Sequence, residues 1–246
     1  MGELRDMAGT EIRGVLPSSM IDWPGKICAV VFLAGCNFRC PYCHNPELVE
    51  EAGGKEAVAW EDLAAYLEDR AGWIDGVCIT GGEPTIHADL PALCRRLKAL
   101  GLEVKLDTNG SRPRVLYRLL EEELVDCVAM DLKTSLDRYP ALAGRPLDVQ
   151  AISESAGIIV SWGGEHEFRC TVVPGWVGYA ELEELARMVQ GARRLVLQQF
   201  RPEHTLDPAY QAVEPYPDEL LLRWSEELSV LVSTRVRGLN AMRMGT

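Results

Sequence analysis

The sequence predicts an α/β fold in which a mostly parallel sheet, covered by helices, closes only partly into an open (β/α)6 barrel. Short apolar runs alternate with amphipathic helical runs along the chain, the pattern of a parallel sheet with covering helices. This alternation gives six strand–helix units, which are too few for a complete eightfold barrel. A third observation is that clusters of polar residues follow the strand-like runs, where sites of such folds lie.

The strands are predicted at residues 27–34, 76–80, 103–108, 127–132, 167–173 and 194–199. The helices between them are predicted at about 60–71, 90–100, 114–122, 149–160 and 181–190. In the helix over 90–100, Leu93, Leu97 and Leu100 recur at helical spacing and define the face that turns inward. The remaining residues are predicted to add a helix at about 218–232 and a short edge strand at 234–239.

We expect the 246 residues to form a single domain, with a core over about 12–208 and a C-terminal helix and tail over 209–246. No apolar run is long enough to span a membrane. Residues 1–13 mix acidic and basic side chains and lack the apolar stretch of a signal peptide, so a cytoplasmic location is expected. With 25 basic and 37 acidic residues the net charge is −12, a field that repels nucleic acid.

Three of the eight cysteines, Cys36, Cys40 and Cys43, crowd within one short loop after the first strand. The other five are scattered among apolar neighbours and are interpreted as small buried hydrophobic residues. Thiolates suit zinc and iron–sulfur clusters, and His44 is awkwardly placed to complete a zinc site because it adjoins Cys43. A [4Fe-4S] cluster normally takes four cysteines, so three leave one iron open, as a catalytic cluster requires. A zinc site and a ferredoxin-like cluster are the alternatives.

Further polar clusters stand at or just beyond the ends of the other predicted strands. Because the carboxyl ends of parallel strands meet at one edge, we expect these clusters to build one site together with the cysteine loop. They cover residues 36–43, 80–84, 107–110, 131–133, 171–176 and 198–201.

The spacing C-x3-C-x2-C, together with Gly-Gly-Glu-Pro at 81–84, resembles the radical S-adenosylmethionine (SAM) superfamily. The resemblance implies that the amino and carboxylate groups of SAM chelate the open iron. One electron from the reduced cluster then cleaves the sulfonium to methionine and a 5′-deoxyadenosyl radical, which abstracts a hydrogen atom. The fold expected from it is the partial barrel of the radical SAM type.

The same resemblance assigns candidate SAM contacts around the cysteines. The backbone of Gly81 and Gly82 and the carboxylate of Glu83 would contact the methionine ammonium, which fits the close approach that glycine permits and the charge of the ligand. Tyr42 would contact adenine, or simply pack over the cluster. Asn45 would hydrogen-bond on the SAM side, or stabilise the loop.

The segments Asp-Thr-Asn-Gly at 107–110 and Asp-Leu-Lys at 131–133 resemble those of glycyl-radical-enzyme activases of the pyruvate formate-lyase activase type. The resemblance implies that Asp107, Thr108 and Asp131 hold a monovalent cation beside the SAM carboxylate, with the carbonyl of Ala129. Oxygen ligands suit such a hard cation. The alternative is that these segments are turns or caps.

In the same resemblance Asn109, Lys133 and Arg169 belong to the SAM pocket, and Arg169 could instead be a structural residue at the barrel mouth. One departure is the stretch 198–202, Gln-Gln-Phe-Arg-Pro, where activases of this type carry a SAM-contacting histidine. That stretch, with Asp-Trp-Pro-Gly-Lys at 22–26, is similar to the anaerobic ribonucleoside-triphosphate reductase activating subgroup.

The function that the resemblance implies is a SAM-dependent activase that installs a glycyl radical in a partner enzyme, with a flavodoxin- or ferredoxin-type electron donor. A second hypothesis is a radical SAM enzyme acting on a small molecule, similar to 7-carboxy-7-deazaguanine synthase. Substrate ligands near Trp162, Glu165, Arg201 or His204 would then matter. A third is an electron carrier or a zinc-stabilised scaffold without SAM cleavage.

Overall fold

The computed structural model describes residues 11–49 and 57–239. Its strands are β1 (Ile12–Ser19), β2 (Cys28–Leu33), β3 (Gly76–Gly81), β4 (Glu103–Thr108), β5 (Cys127–Leu132), β6 (Glu165–Val172), β7 (Leu195–Gln199) and β8 (Thr234–Arg237). Its α-helices are α1 (Pro46–Val49), α2 (Trp60–Asp69), α3 (Leu90–Ala99), α4 (Pro113–Glu121), α5 (Tyr139–Ala143), α6 (Gln150–Trp162), α7 (Tyr179–Met188) and α8 (Asp218–Leu228). Two short 3₁₀ turns lie at Pro84–Ile86 and Pro208–Ala212.

The strands belong to one sheet in chain order, from β1 to β8. β1 is antiparallel to β2, whereas β2–β3, β3–β4, β6–β7 and β7–β8 are parallel pairs. Among the described strands β1 and β8 end the order and do not pair with each other, so the sheet is open. The predicted α/β fold with an open, mostly parallel sheet is therefore confirmed.

The described residues divide into two compact units. The first takes its residues from 1–37, 47–108 and 114–127, and the second from 38–46, 109–113 and 128–246. The expected single domain with a separate tail stays a prediction. The tail does contribute to the sheet of the second unit, because β8 pairs with β7 in parallel register, as the predicted edge strand required.

In the first unit, β2 and β3 are almost entirely buried, because helices cover the sheet. Cys28, Cys78 and Cys127 pack with Trp23 and Val30 in one cluster. Burial raises the pKa of Cys28 to about 11, so the thiol stays neutral and behaves as a small apolar group. The interpretation of the scattered cysteines as buried hydrophobic residues is confirmed for this unit.

In the second unit, the sheet residues alternate between two faces, as the period of a strand requires. Phe168 and Cys170 of β6 and Leu195 and Leu197 of β7 are fully buried. The covering helices present their own apolar stripes, for example Leu182 and Leu185 of α7. α6 ends at Gly163 in the left-handed conformation, with a φ of 70°, a frequent helix terminator.

Three elements were not predicted from the sequence: β1, α1 and α5. β1 contains Gly14 and Pro17, which weaken a strand pattern, and its register against β2 shifts twice. α1 and α5 are only about one turn long and have too few residues to show a helical period. The boundaries of the other elements differ from the prediction by a few residues.

Within residues 11–49 and 57–239, no helix combines the length and the apolar character needed to cross a bilayer. The charged N-terminal residues, from which the location was predicted, lie mostly outside the described residues.

Candidate functional site

The loop after β3 lies directly against the chain that leads to the first cysteine. Gly82 N donates to Leu33 O at 2.9 Å, and Glu83 N donates to Gly35 O at 2.8 Å. A Cβ atom on Gly82 would lie 1.7 Å from Gly35 O, so only glycine fits there. Gly81 has a φ of 118°, which also favours glycine. The two glycines therefore fix the place of Glu83 relative to the residue before Cys36.

Glu83 is a fully buried carboxylate in the first unit. Its Oε1 accepts hydrogen bonds from Thr85 N at 3.0 Å, from the Thr85 hydroxyl, and from Thr108 Oγ1 at 2.7 Å. Buried carboxylates are held in place by such donors, because an unpaired one costs several kcal/mol. Thr108, predicted as a cation ligand, thus directs its hydroxyl hydrogen at Glu83.

A buried lysine lies beside the predicted cation-binding aspartate of β4. Lys105 is 1% exposed, and its Nζ forms an ion pair with Asp107 Oδ1. The same Nζ lies 3.7 Å from Cys78 Sγ of β3. Sequence analysis missed Lys105, although it precedes Asp107 by two residues and therefore shares a face of the strand with it.

The three cysteines are distributed over the two units. Cys36 belongs to the first, Cys40 and Cys43 belong to the second, and none is in a disulfide. Within the second unit, the loop over 38–46 is anchored by α5: Arg39 N donates to Ala143 O at 2.7 Å. The ring of Phe38 also packs edge-on against Tyr139.

A segment that follows β7, residues 200–213, lies along the same cysteine loop. Leu206 N donates to Cys43 O at 3.0 Å, and Asp207 N donates to Pro41 O at 2.8 Å. His44 Nε2 hydrogen-bonds to Arg201 O at 2.7 Å, a supporting contact for the loop. We call residues 200–213 the post-β7 segment.

Tyr42 is buried between Cys40 and Cys43. Its ring contacts Phe200 and Tyr210 of the post-β7 segment, each at a centroid distance of 6.4 Å. No partner within the described part of the chain hydrogen-bonds its Oη. Burial raises the pKa of Tyr42 well above its usual value, so the group is a neutral hydroxyl able to meet a polar ligand.

Asp131 at the end of β5 carries two basic partners in the second unit. Arg169 Nε lies 2.7 Å from Oδ1, and Lys133 Nζ lies 3.1 Å from Oδ2. Burial alone would raise the pKa of Asp131, but the charges of Arg169 and Lys133 outweigh it and hold the pKa well below its usual range. Lys133 N also donates to Tyr139 Oη at 2.9 Å, which ties the strand end to α5.

The remaining candidates lie in turns of the second unit. Asn109 is buried, and its Oδ1 accepts a hydrogen bond from Ser111 N at 2.9 Å, the side-chain turn that was the alternative interpretation. Gly110 has a φ of 75°, and its carbonyl accepts from Ser155 Oγ at 2.7 Å. Asn45 is half-buried between Cys43 and α1.

The predicted residues are therefore brought together within each unit. The first unit joins Glu83 to Thr108 and holds Cys36, Gly81, Gly82 and Asp107. The second joins Asp131, Lys133 and Arg169 and holds Cys40, Tyr42, Cys43, Asn45 and Asn109. That all of them contact one ligand stays a prediction.

The donor set fits an iron–sulfur cluster and a zwitterionic ligand. Three cysteines lie within eight residues, and thiolates are ligands that suit iron–sulfur clusters. The buried Tyr42 hydroxyl has no hydrogen-bond partner in the described part of the chain. In the described chain no three His, Cys, Asp or Glu side chains converge on a single ion. This finding does not test a cluster, in which each thiolate binds a different iron.

The sequence matches the radical SAM superfamily over residues 30–189, more than half of the chain. The chain therefore belongs to the radical SAM superfamily, and membership implies a [4Fe-4S] cluster and SAM as the cofactors of this enzyme.

The chain is similar, over most of its length, to proteins named as activating enzymes. It is 33% identical over 217 residues to a Methanocaldococcus jannaschii protein provisionally named a glycyl-radical enzyme activating enzyme, covering 86% of this chain and 88% of that protein. It is also 33% identical over 212 residues to a pyruvate formate-lyase-activating enzyme of Clostridium pasteurianum, covering 79% and 82%.

The fold has a counterpart among solved structures. Streptococcus suis SuiB bound to the precursor peptide SuiA superimposes with a TM-score of 0.65 at 17% identity, over 86% of this chain and 48% of that one. The likeness supports the fold.

Proposed function

We propose that this chain is a radical SAM enzyme that activates a glycyl-radical enzyme by removing a hydrogen atom from a glycine of that partner. The observation that carries the proposal is the 33% identity, over most of both chains, to two proteins named for this activity. The segments at 107–110 and 131–133, which resemble those of the activases, support the same assignment. These relatives do not favour the small-molecule alternative.

In this proposal Cys36, Cys40 and Cys43 would hold the [4Fe-4S] cluster. When bound, cluster and SAM would supply the one-electron chemistry by which the hydrogen atom is removed. The protein binds and orients these groups and keeps water away from the reacting atoms. The loop that carries Cys40 and Cys43 is already anchored by α5 and by the post-β7 segment, which supports its role as a preformed cradle.

Glu83 binds the ammonium of SAM. Its carboxylate is buried and oriented by Thr85 and Thr108, so it does not have to be desolvated when the ligand binds. The backbone of Gly81 and Gly82 would contact the same part of the ligand, at the close distance that only glycine permits.

Lys133 and Arg169 bind the carboxylate of SAM. With Asp131 they form a group of one negative and two positive side chains, so one positive charge remains for an anionic ligand. Tyr42 contacts the adenosine portion, and Asn45 and Asn109 complete the polar lining.

The partner is a glycyl-radical enzyme of the anaerobic ribonucleotide reductase or pyruvate formate-lyase type. A flavodoxin- or ferredoxin-type protein would supply the electron. The net charge of −12 argues against nucleic acid as a partner, which stays a prediction.

The test is anaerobic incubation of the reconstituted protein with dithionite, SAM and each candidate partner. We expect 5′-deoxyadenosine release and a glycyl-radical electron paramagnetic resonance signal on one partner. Cys40→Ala should abolish the cluster absorbance and both signals, whereas Cys94→Ala, which removes a buried thiol of α3, should keep them. Release of 5′-deoxyadenosine without a radical on any partner would favour the small-molecule alternative, and absence of a cluster would overturn the proposal.

A further inference from the structure

The buried Lys105 places a positive charge beside Asp107, one of the residues predicted to hold a monovalent cation. Lys105 is 1% exposed, and lysine is almost never so deeply buried unless it is paired. Its partner is Asp107 Oδ1, on the same face of β4. Asp107 is itself 8% exposed, so the pair lies inside the first unit.

Two of the other predicted ligands, Asp131 and Thr108, also have partners in their own units. In the second unit Asp131 Oδ1 is 2.7 Å from Arg169 Nε, and Oδ2 is 3.1 Å from Lys133 Nζ. In the first unit the Thr108 hydroxyl donates to Glu83 Oε1 at 2.7 Å. Each of the two carboxylates predicted to neutralise a cation thus already has a basic side chain of its own unit beside it.

An additional monovalent cation does not fit Asp107 in this arrangement. An ammonium group has three donors and no lone pair, so it cannot act as a ligand of a cation. It would also repel a second positive charge placed on the same carboxylate, and this repulsion is strong in a buried environment. The positive charge that suits Asp107 is therefore the ammonium group of Lys105.

We propose that the Lys105 ammonium is the built-in counter-ion of Asp107, and that this enzyme binds SAM without a monovalent metal cation. The inference rests on the proposed function only in that SAM is the ligand of the site. It concerns charge balance in the site and is independent of which partner is activated.

The test measures the dissociation constant of SAM for the cluster-loaded protein in potassium, sodium and choline chloride at equal ionic strength. The wild-type value should be the same, within about twofold, in all three salts. In Lys105→Met the buried carboxylate loses its counter-charge, so we expect binding in choline to weaken by about tenfold or more. Potassium or ammonium ions should restore it.

Lys98→Met is the matched control, since Lys98 pairs with Asp126 in a partly exposed ion pair of the same unit. It should bind SAM equally well in every salt. A second readout is the melting temperature of the cluster-free protein. The melting temperature of Lys105→Met should be higher in potassium than in choline, whereas the melting temperature of the wild type should be the same in both salts.

Tighter SAM binding by the wild type in potassium or sodium than in choline would overturn the inference. So would Lys105→Met binding SAM in choline as well as the wild type does. If Lys105→Met does not fold, Lys105→Arg takes its place. This variant keeps the charge, so its dissociation constant for SAM should be the same in all three salts. The comparison of the wild type across the three salts still tests the inference. None of these measurements uses a partner, so failure of partner activation would count against the proposed function alone.

Discussion

At the scale of single residues, the acidic side chains of the candidate site have hydrogen-bond or ion-pair partners within their own unit. Glu83 has threonine donors, Asp107 has Lys105, and Asp131 has two basic neighbours. Burial of an unpaired charge costs several kcal/mol, and these contacts offset that cost without a ligand. Within each unit these charges are therefore paired in the absence of a ligand.

Glu83→Ala should retain the cluster and weaken SAM binding by about 10- to 100-fold, the loss of one charge-assisted contact of about 1.5–3 kcal/mol. Glu83→Gln keeps an oxygen for the threonine donors and should separate the effect of charge from that of packing. Isothermal titration of the cluster-loaded protein with SAM measures the change. Glu61→Gln, an exposed residue of α2, is the control, and an unchanged affinity in Glu83→Ala would contradict the assignment.

The stabilisation that Asp131 provides should depend on pH. Because Arg169 and Lys133 hold its pKa below the usual aspartate value of about 3.9, its contribution is complete above that pH and is lost progressively below it. The difference in unfolding free energy between wild type and Asp131→Asn should therefore shrink as the pH falls from about 6 to about 2. Denaturant unfolding of the cluster-free protein measures it.

Asp69→Asn, at an exposed position, serves as the control for the pH series. A difference between wild type and Asp131→Asn that is the same at every pH would show that the pKa of Asp131 is not lowered on folding.

The candidate residues were predictable where they stand in short polar clusters after strands, as Asp131 and Lys133 do. Lys105 was not, since a single lysine inside a strand normally alternates to the solvent face. Its distinguishing signal was its two-residue spacing from Asp107, which puts both side chains on one face. The ion pair of Arg169 with Asp131 was not predicted, because the two residues are distant in sequence and no local pattern links them.

At the scale of elements, the cysteine loop over 38–46 lacks regular structure for most of its length, and neighbouring elements hold it in place. α5 holds it through Arg39 and Phe38, and the post-β7 segment holds it through Cys43, Pro41 and His44. Loop backbone needs such partners, because its own amides and carbonyls are not satisfied by a helix or sheet ladder. The stability of the cluster should therefore depend on residues remote from the cysteines in sequence.

Leu206→Pro should make the cluster more labile, because proline cannot donate the amide hydrogen bond that reaches Cys43 O at 3.0 Å. The measurement is the rate at which a chelator removes iron, followed by loss of cluster absorbance. Leu206→Ala keeps the amide and should release iron at the wild-type rate. Equal rates for Leu206→Pro and the wild type would exclude a supporting role for this contact.

The long elements could be predicted because their apolar residues recur with a clear period, as in α3 and α7. β1, α1 and α5 could not, because the first contains strand-weakening residues and the other two are about one turn long. The post-β7 segment has a 3₁₀ turn at Pro208–Ala212 with no buried residue, so its sequence gave no sign that it contacts the cysteine loop.

At the scale of the whole molecule, the sheet continues beyond the core that the sequence outlined. β8 extends the parallel pairing from β7, and Leu221 and Leu228 of α8 are fully buried. Burial of two leucines contributes about 3–6 kcal/mol, a large share of a typical stability of about 5–15 kcal/mol. The open, mostly parallel sheet followed from the alternation of strands and helices, whereas the division into two units has no signature in the sequence.

Ending the chain after residue 212 should lower the melting temperature strongly and cause aggregation, because β7 would become an exposed edge. Ending it after residue 239 keeps β8 and should leave both properties unchanged. Size-exclusion chromatography and thermal melting compare the two. A monomeric, equally stable protein that ends at residue 212 would instead support an independent core over about 12–208.

The contact between Gly82 and Gly35 has a consequence for how such a chain can evolve. The amide of Glu83 is fastened to Gly35 O, one residue before Cys36, and no side chain can be accommodated at position 82. Lengthening the loop after β2 or the loop after β3 would displace both Cys36 and Glu83. A change in the length of one loop therefore has to be matched by a change in the other. The lengths of the two loops are therefore expected to change only together.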